Sequence, residues 1–208
     1  MNMNELEAAI LNPGRTPVFN TRFELYDRAL ELRATRGSIC EFGVHTGNSL
    51  KYLVSKAPRA QFHAFDSCQG LPGDWHRGEN WVTPKGTYEY DMLKDTWPEN
   101  VRLWPGWFEH TVPAFVDKLV SGSLSYGPSL IHIDSDLYES AKTVLTVLRP
   151  YLFPGVIIVF DELMDFRTPQ KYTKWRDHEW RALAESGLKV SPIGRTTAEQ
   201  VAVAVSSE

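Results

Sequence analysis

The sequence predicts an α/β fold, in which a doubly wound, mostly parallel seven-stranded sheet carries helices on both faces. Two observations lead to this prediction. Short apolar runs, typical of buried strands, alternate along the chain with segments whose apolar residues recur at helical spacing. The chain has 208 residues, of which 42% are hydrophobic and 23% charged, as expected for one globular domain over residues 1–208.

Strands are predicted at short apolar runs, and helices where apolar residues repeat every three or four positions. The seven predicted strands cover residues 38–43, 61–65, 101–104, 129–133, 155–160, 189–193 and 200–205. The predicted helices cover residues 4–11, 46–56, 108–119, 138–152 and 172–186, and a further one runs from a cap at Asn20 or Thr21 to about Gly37. Residues 1–37 are therefore predicted to form an N-terminal helical layer.

Residues 67–100 interrupt the alternation, and we call them the lid segment. They contain four glycines, three prolines and three of the seven tryptophans. The segment is too irregular for a helix and too long for an ordinary connection within a compact domain. We expect it to cover a bound substrate, and a surface insertion without a role is the alternative.

Charge and composition exclude several classes of protein. Lysine and arginine total 22 against 26 aspartates and glutamates, for a net charge of −4, and no long basic run is available to bind nucleic acid. The longest apolar stretch is far short of the roughly 20 residues of a membrane helix, and the polar N-terminus does not resemble a signal peptide. A soluble, cytoplasmic protein is predicted. With only Cys40 and Cys68, a disulfide framework and a four-cysteine zinc site are excluded.

Three polar or glycine-containing turns follow the first three predicted strands of the sheet. Ligands of open α/β sheets bind at the carboxyl ends of the strands, so these turns are candidate binding loops. Glu41, Gly43 and Gly47 surround the first turn, where glycines allow a close backbone approach to a ligand. Asp66 follows the second strand, in a position to accept hydrogen bonds from a ribose diol. After the third strand, Trp107 is as well explained by a core position as by contact with an adenine ring.

Two acidic pairs follow the fourth and fifth main strands. Asp134 and Asp136 end the run from Leu130, and Asp161 and Glu162 end the next apolar run. If these strands are neighbours, four carboxylates converge, and their repulsion favours a hard cation such as Mg²⁺ or Mn²⁺. The alternative is that Asp134 or Asp136 caps the following helix while Glu162 faces solvent.

Five ordered motifs together resemble a known family. They are E-F-G-V-H-T-G, F-D-S-C-Q-G-L-P, G-W-F-E-H-T-V-P, I-H-I-D-S-D-L-Y-E-S and I-V-F-D-E-L, and the likeness extends from about Phe23 to Val205. The chain resembles the class I S-adenosylmethionine-dependent methyltransferases of the macrocin O-methyltransferase type. The resemblance implies a Rossmann-like fold, S-adenosylmethionine and Mg²⁺ as cofactors, and methylation of a hydroxyl on a sugar-like or other small natural-product acceptor.

The resemblance also implies roles for individual residues. Asp136 would be the general base, and Asp134, Asp161 and Glu162 would bind the metal ion. The cofactor would be contacted by Glu41, Gly43, Gly47, Asp66, Ser67, Gly106, Trp107, Phe108 and Asp134. Two aspartates are usual where this chain has Asp161 and Glu162. The sequence does not decide whether one of the loop histidines His45, His76 and His110 assists the base.

Other functions stay open at this point. A metal-dependent glycosyltransferase would use Asp134-Ser135-Asp136 as its D-x-D motif, but the glycine turn and Asp66 would then lack a purpose. A non-catalytic cofactor-binding protein is also compatible, since a fold does not determine a function. No membrane or nucleic-acid partner is expected, and the resemblance, together with the prevalence of symmetric enzymes, favours a homodimer. The identity of the acceptor, and whether oxygen or nitrogen receives the methyl group, are left undetermined.

Overall fold

A computed structural model describes residues 1–207, so Glu208, the last residue of the predicted domain, lies outside the described residues. The helices are α1 Met3–Leu11, α2 Arg22–Leu32, α3 Asn48–Lys56, α4 Phe108–Val120, α5 Tyr138–Leu148 and α6 Glu179–Glu185. The strands are β1 Val18–Phe19, β2 Ser38–Phe42, β3 Phe62–Asp66, β4 Trp75–Gly78, β5 Trp81–Thr83, β6 Val101–Pro105, β7 Pro128–Ile133, β8 Ile157–Phe160, β9 Val190–Thr196 and β10 Val201–Val205.

The central sheet has the strand order β1-β9-β10-β8-β7-β2-β3-β6. Strands β6, β3, β2, β7 and β8 are parallel, whereas β10 runs antiparallel to both β8 and β9. Strand order reverses between β2 and β7, which makes that crevice the expected ligand site. The predicted α/β, mostly parallel sheet is confirmed. The sheet contains an eighth strand, β1, which was not predicted. Its two residues pair with Arg195 and Thr196, and a strand of two residues is too short to show a hydrophobic period.

Helices cover both faces of the sheet because successive strand residues point to opposite sides. On one face, strand residues such as Phe65 and Ile131 pack with α4, α5 and α6. On the other face, their neighbours Ala64 and Leu130 pack with α2 and α3. The predicted N-terminal helical layer is not a single layer, since α1 joins the first core and α2 the second. Residues 1–37 therefore pack against both faces of the sheet.

Four predicted helices are shorter than expected, each for a local reason. Helix α2 ends at Leu32 rather than near Gly37, because Arg33 at the C-cap adopts extended backbone. Helix α3 begins only at Asn48, because Gly47 adopts φ 73° at the N-cap. Helix α5 ends at Leu148, where a 3₁₀ turn containing Pro150 follows. Only the second half of residues 172–186 forms α6, since a 3₁₀ turn at Trp175–Asp177 precedes it. Within residues 1–207, no helix has both the length and the apolar character that crossing a bilayer would require.

The lid segment is a packed structure rather than an open loop. Strands β4 and β5 form an antiparallel hairpin, and the Trp75 side chain is 1% exposed. Its indole Nε1 donates a hydrogen bond to the Tyr172 hydroxyl at 3.3 Å, and the two rings meet edge to face at 5.5 Å. The segment is therefore anchored on the stretch that follows β8. Its opening and closing over a ligand stay a prediction.

Candidate active site

A cavity of about 570 Å³ lies at the carboxyl ends of the central strands. The turns after β2, β3, β7 and β8 form its floor and sides, and the lid segment forms one wall. The volume falls within the roughly 300–1,000 Å³ that is usual for small-molecule sites. The cavity coincides with the strand-order reversal, where ligands of this architecture bind.

The turn after β2 requires glycine at Gly43. That residue has φ 92°, and a Cβ built on it would lie 1.7 Å from the Asp134 carbonyl oxygen. The backbone of this turn therefore touches the end of β7, which closes the floor of the cavity. The backbone amide of Gly43 is itself held by the Phe65 carbonyl at 2.9 Å.

Asp66 organises the same floor from the end of β3. Its Oδ2 accepts hydrogen bonds from the backbone amides of Val44 and His45, at 2.8 and 2.9 Å, and its Oδ1 accepts one from Cys68 at 2.7 Å. A carboxylate has about four acceptor sites, so about one remains. Asp66 can thus receive one further hydroxyl, whereas the sequence predicted that it would hold two ribose hydroxyls.

Six of the nine predicted cofactor-contacting residues line the cavity, namely Gly43, Asp66, Ser67, Trp107, Phe108 and Asp134. Trp107 and Phe108 begin α4 at the cavity wall and are partly exposed, so Trp107 is not a core residue. Flat apolar rings beside a polar floor suit a nucleoside base.

The predicted cofactor contacts of Glu41, Gly47 and Gly106 need correction, because none of the three lines the cavity. Glu41 is fully buried on the α2 and α3 side of β2, where its Oε1 accepts a 2.5 Å hydrogen bond from the Ser49 hydroxyl. A Cβ on Gly47 would come within 2.3 Å of the Trp97 ring, so glycine is needed there for packing. Gly106 serves a turn with φ 127°.

The two acidic pairs meet as predicted, because β7 and β8 are parallel neighbours with Ile133 opposite Phe160. Carboxylate oxygens of Asp134, Asp136 and Glu162 lie within 4.8 Å of one another. Asp134 shares a second such group with His132 and Asp161. Among the described residues, no such group of three contains both Asp161 and Glu162, so the predicted metal set of Asp134, Asp161 and Glu162 is divided.

Crowding perturbs these carboxylates in opposite directions. Burial, together with the negative charge of Asp161, raises the pKa of Asp136 to about 7, although Arg77 acts against the rise. Burial and neighbouring carboxylates raise the pKa values of Asp134 and Glu162 as well. Burial also acts to raise the pKa of Asp161, but the nearby His132, with help from Arg22, lowers it overall. The ionised form is thus favoured for Asp161 and disfavoured for its neighbours.

Behind the cavity, His132 links Glu41 to Asp161. Glu41 and His132 are paired across β2 and β7, and the ring nitrogens of His132 lie 3.7 Å from Glu41 Oε1 and 3.6 Å from Asp161 Oδ1. Burial acts to lower the pKa of His132, but the two carboxylates outweigh it and raise the pKa to about 10. A histidine inside an apolar strand is usually a satisfied core residue. The apolar neighbours of His132 along β7 gave no sign that Glu41 would face it.

Glu179 is a second buried acid that the sequence did not single out. Its side chain is fully buried, and its Oε2 accepts a hydrogen bond from the Glu162 backbone amide at 3.1 Å. Burial raises its pKa well above the ordinary value. Glu179 therefore helps to hold the turn after β8, although it lies 17 residues further along the chain.

Two arginines partly neutralise the carboxylates of the cavity. Arg22 lies 3.7 Å from Asp161, and Arg77 is paired with Glu199 at 3.0 Å. The Arg77 guanidinium also stacks over the Trp75 and Trp81 rings, at 4.1 and 4.2 Å from their centroids. Of the loop histidines, His45 lines the cavity, whereas His76 and His110 are exposed and do not.

The residues present fit a hard divalent cation. The neighbouring ligand atoms of Asp134, Asp136 and Glu162 are all carboxylate oxygens, the donor type that Mg²⁺ and Mn²⁺ prefer. Glu162 Oε2 is buried and has no hydrogen-bond partner among the described residues, so part of the acceptor capacity is unused. Repulsion among the carboxylates would be relieved by a positive charge at this point.

Comparison with known proteins places this geometry in a family. Residues 40–163, more than half of the chain, match a family model described as a methyltransferase domain. The matched range runs from β2 to the turn after β8 and contains the floor of the cavity and all four carboxylates.

Two curated relatives match shorter parts of the chain. One is the 8-demethyl-8-(2,3-dimethoxy-alpha-L-rhamnosyl)-tetracenomycin-C 4'-O-methyltransferase of Streptomyces olivaceus, 36% identical over 73 residues, which are 35% of this chain and 23% of the relative. The other is the demethyldecarbamoylnovobiocin O-methyltransferase of Streptomyces niveus, 37% identical over 76 residues, which are 36% of this chain and 24% of the relative. The matched part therefore spans about a quarter of the length of these relatives.

Solved structures agree on the fold. The calicheamicin methyltransferase CalS11 is 24% identical with a TM-score of 0.63, over 87% of this chain and 76% of CalS11. The O-methyltransferase NovP is 21% identical with a TM-score of 0.60, over 89% of this chain and 80% of NovP. With the family model covering the strands, turns and carboxylates that build the cavity, the chain belongs to the methyltransferase domain family.

Proposed function

We propose that this protein transfers the methyl group of S-adenosylmethionine to a hydroxyl of a sugar-like or other small natural-product acceptor, with the help of a divalent cation. One observation carries the proposal. Four carboxylates from the ends of β7 and β8 share a single cavity with the turns after β2 and β3. The carboxylates can bind a cation and accept a proton, and the turns after β2 and β3 can bind a nucleoside. Methyl transfer from a sulfonium to a weakly acidic hydroxyl needs the cofactor beside a group that accepts the proton.

In this proposal, the turns after β2, β3 and β6 bind the cofactor. Trp107 and Phe108 pack against the adenine, and Ser67 with the remaining acceptor site of Asp66 binds the ribose. The turn at Gly43 brings backbone close to the cofactor without a side chain in the way. Alignment of the sulfonium with the acceptor oxygen supplies much of the rate in an in-line displacement.

Asp136 is proposed to accept the proton of the acceptor hydroxyl. Its pKa of about 7 lies close to neutral pH, where a general base is most effective. The residue has φ 61° and is 7% exposed, so the turn after β7 holds its carboxylate in one place on the cavity wall.

Asp134 and Glu162 are proposed to hold the cation, and Asp161, whose ligand atom clusters with Asp134 and His132 instead, would have to turn toward it to complete the predicted set. A divalent ion bound to them would supply Lewis acidity that lowers the pKa of a neighbouring hydroxyl. Asp161 is kept ionised by His132 and Arg22, which suits a ligand. Because Asp136 also lies within 4.8 Å of Asp134 and Glu162, its role as base rather than ligand needs its own test.

The curated relatives support the acceptor class. By their names, one methylates a rhamnosyl group on tetracenomycin C and the other acts on a demethylated novobiocin. We therefore propose a glycosylated natural product or its sugar precursor as the acceptor. A glycosyltransferase is not favoured, since the D-x-D stretch lies inside the matched methyltransferase domain. A homodimer and a cytoplasmic location remain predictions, and light scattering would test the first.

Binding and transfer test the proposal directly. Calorimetry should detect S-adenosylhomocysteine but not uridine diphosphate. Incubation with labelled S-adenosylmethionine and Mg²⁺ should label at least one member of a panel of TDP-rhamnose, the rhamnosylated tetracenomycin and demethyldecarbamoylnovobiocin. Binding of uridine diphosphate without S-adenosylhomocysteine would contradict the proposed chemistry.

The variant Asp136→Asn separates a base from a metal ligand. If Asp136 is the base, Asp136→Asn should keep its Mn²⁺ affinity within about threefold of wild type, while its single-turnover transfer rate falls by roughly 10²-fold or more. Loss of Mn²⁺ affinity, measured by electron paramagnetic resonance, would make Asp136 a ligand instead. Asp117→Asn, on the exposed side of α4, is the matched control and should change neither value.

A further inference from the structure

Four non-glycine residues of the described chain have a positive φ, and three of them line the active-site cavity. His45, Asp136 and Tyr88 have φ values of 48°, 61° and 68°, and the fourth, Cys68, lies outside the cavity. Left-handed backbone is tolerated by aspartate but is unfavourable for a bulky side chain. Tyr88, in the lid segment, is therefore the most strained of the cavity residues by residue type.

The turn that contains Tyr88 would ordinarily use glycine or asparagine. The Glu89 amide donates to the Gly86 carbonyl at 3.3 Å, which makes Tyr88 the third residue of a four-residue turn. A positive φ at that position is typical of a turn that favours glycine or asparagine. The turn is also fastened to the rest of the lid segment, because the Leu71 amide donates to the Thr87 carbonyl at 2.9 Å. A tyrosine here is thus retained against the local backbone preference.

The Tyr88 side chain makes few stabilising contacts with the described residues of the protein. It is 44% exposed. Its one aromatic contact among the described residues is with His45, edge to face at 5.7 Å. Core packing therefore does not account for the strain.

Tyr88 lines the same cavity as the carboxylates of Asp134, Asp136 and Glu162. Partial burial raises the pKa of Tyr88, and the charges that act on it are Asp136 first, then Arg77, Glu162 and Asp134. A phenol can donate and accept a hydrogen bond at once, and its ring offers a flat apolar face. Tyr88 and these groups line the cavity in which the acceptor hydroxyl must lie if Asp136 is the base.

We propose that Tyr88 is an acceptor-binding residue, whose ring packs against the methyl acceptor and whose hydroxyl hydrogen-bonds an acceptor oxygen beside the one that is methylated. The inference rests on the proposed function. It assigns acceptor contact to the part of the lid segment around Tyr88, next to His45 of the turn after β2, and it favours an acceptor with two neighbouring oxygens on one ring. The strained backbone is then retained because it aims the side chain at the acceptor.

Two variants test the assignment. Tyr88→Asn removes the ring but suits the left-handed turn, so its urea midpoint should equal or exceed that of wild type. Its KM for the labelled acceptor should rise at least tenfold, while its affinity for S-adenosylhomocysteine stays within twofold. Tyr88→Phe keeps the ring and loses the hydroxyl, and its KM should rise at least threefold with kcat less affected. Tyr126→Asn, at an exposed tyrosine outside the cavity, should leave KM unchanged.

Each remaining result would overturn the assignment. An unchanged acceptor KM in Tyr88→Asn would exclude contact with the acceptor, and a parallel loss of S-adenosylhomocysteine affinity would move Tyr88 to the cofactor side. A urea midpoint below that of Tyr126→Asn, or failure to fold, would make the side chain structural. If the wild-type protein labels no acceptor of the panel, the proposed function fails and the assignment of Tyr88 fails with it. This outcome is distinguishable from failure of the Tyr88 assignment alone, because it is seen before any variant is made.

Discussion

Replacing His132 by leucine should remove the positive charge that separates two buried carboxylates. Glu41 and His132 are fully buried, and Asp161 is 5% exposed. The His132 Nε2 atom also lies 3.1 Å from the Tyr26 hydroxyl. Leucine has a similar volume but leaves Glu41 and Asp161 without the group that compensates them. The perturbation is therefore electrostatic rather than a change of packing.

The expected cost is large on the scale of this protein. Removing one partner of a buried ion pair typically destabilises a protein by about 3–5 kcal/mol, because the remaining charge is uncompensated. The free energy of unfolding of a typical domain is only about 5–15 kcal/mol. His132→Leu should therefore remove about a fifth or more of the stability.

Urea unfolding of a double-mutant cycle measures the pairwise part of this cost. Glu41→Gln removes one of the two orphaned charges, so the double variant His132→Leu/Glu41→Gln should be more stable than the sum of the single changes predicts. A coupling energy of about 1–3 kcal/mol is expected for residues in contact. His178→Leu supplies the control, since His178 is buried but bonds only to the His76 carbonyl, at 3.1 Å.

Two results would refute this reasoning. A loss below about 1 kcal/mol for His132→Leu would mean that the buried carboxylates take up protons or water without penalty. Additivity within about 0.5 kcal/mol between His132→Leu and Glu41→Gln would mean that the two groups do not interact. The control cycle of His178→Leu with Glu41→Gln should be additive, because the two residues share no partner.

Three further predictions concern stability and reactivity. Burial lowers the pKa of His63 from 6.5 to about 4. Between pH 6.5 and 4 the unfolded chain therefore binds more protons than the folded protein, so the free energy of unfolding should fall by about 3 kcal/mol as the pH drops over this range. His63 also accepts a hydrogen bond from Trp104 Nε1 at 3.1 Å, and acid unfolding of His63→Gln should lack this part of the pH dependence. Gly43→Ala should lower the urea midpoint strongly and abolish S-adenosylhomocysteine binding, because its Cβ would strike the Asp134 carbonyl; calorimetry showing normal binding would contradict the geometry. Burial raises the pKa of Cys40 to about 12, so a thiol reagent should modify Cys40 only after unfolding, as mass spectrometry of digested native and unfolded protein would reveal.

Much of the fold could be predicted because its signals are local. The runs that become β7 and β8 are buried throughout and, apart from Ser129 and His132, apolar, and acidic residues follow each of them at once. Parallel strands place their carboxyl ends at one edge, so Asp134 was expected to meet Glu162 if the two strands were neighbours, which the structure confirms. Strand β1 could not be predicted, because two residues carry no period.

The residues that the sequence misjudged depend on contacts between distant segments. Glu41 was predicted to touch the cofactor, but the alternation of β2 turns it away from the cavity toward His132, which lies 91 residues further along the chain. Glu179 reaches the turn after β8 from α6, and no pattern around it indicates that contact. Tyr88 is an ordinary tyrosine in sequence, and only its backbone conformation distinguishes it.

The sequence by itself determined the order of strands and helices, the glycine at position 43 and the two acidic pairs, since hydrophobic period and turn chemistry are properties of neighbouring residues. Only the tertiary structure decided which carboxylates share a cation-sized space, which one His132 keeps ionised, and which residues of the lid segment face the cavity. Charge interactions and burial depend on distance in space, and neither is recorded in the spacing of residues along the chain.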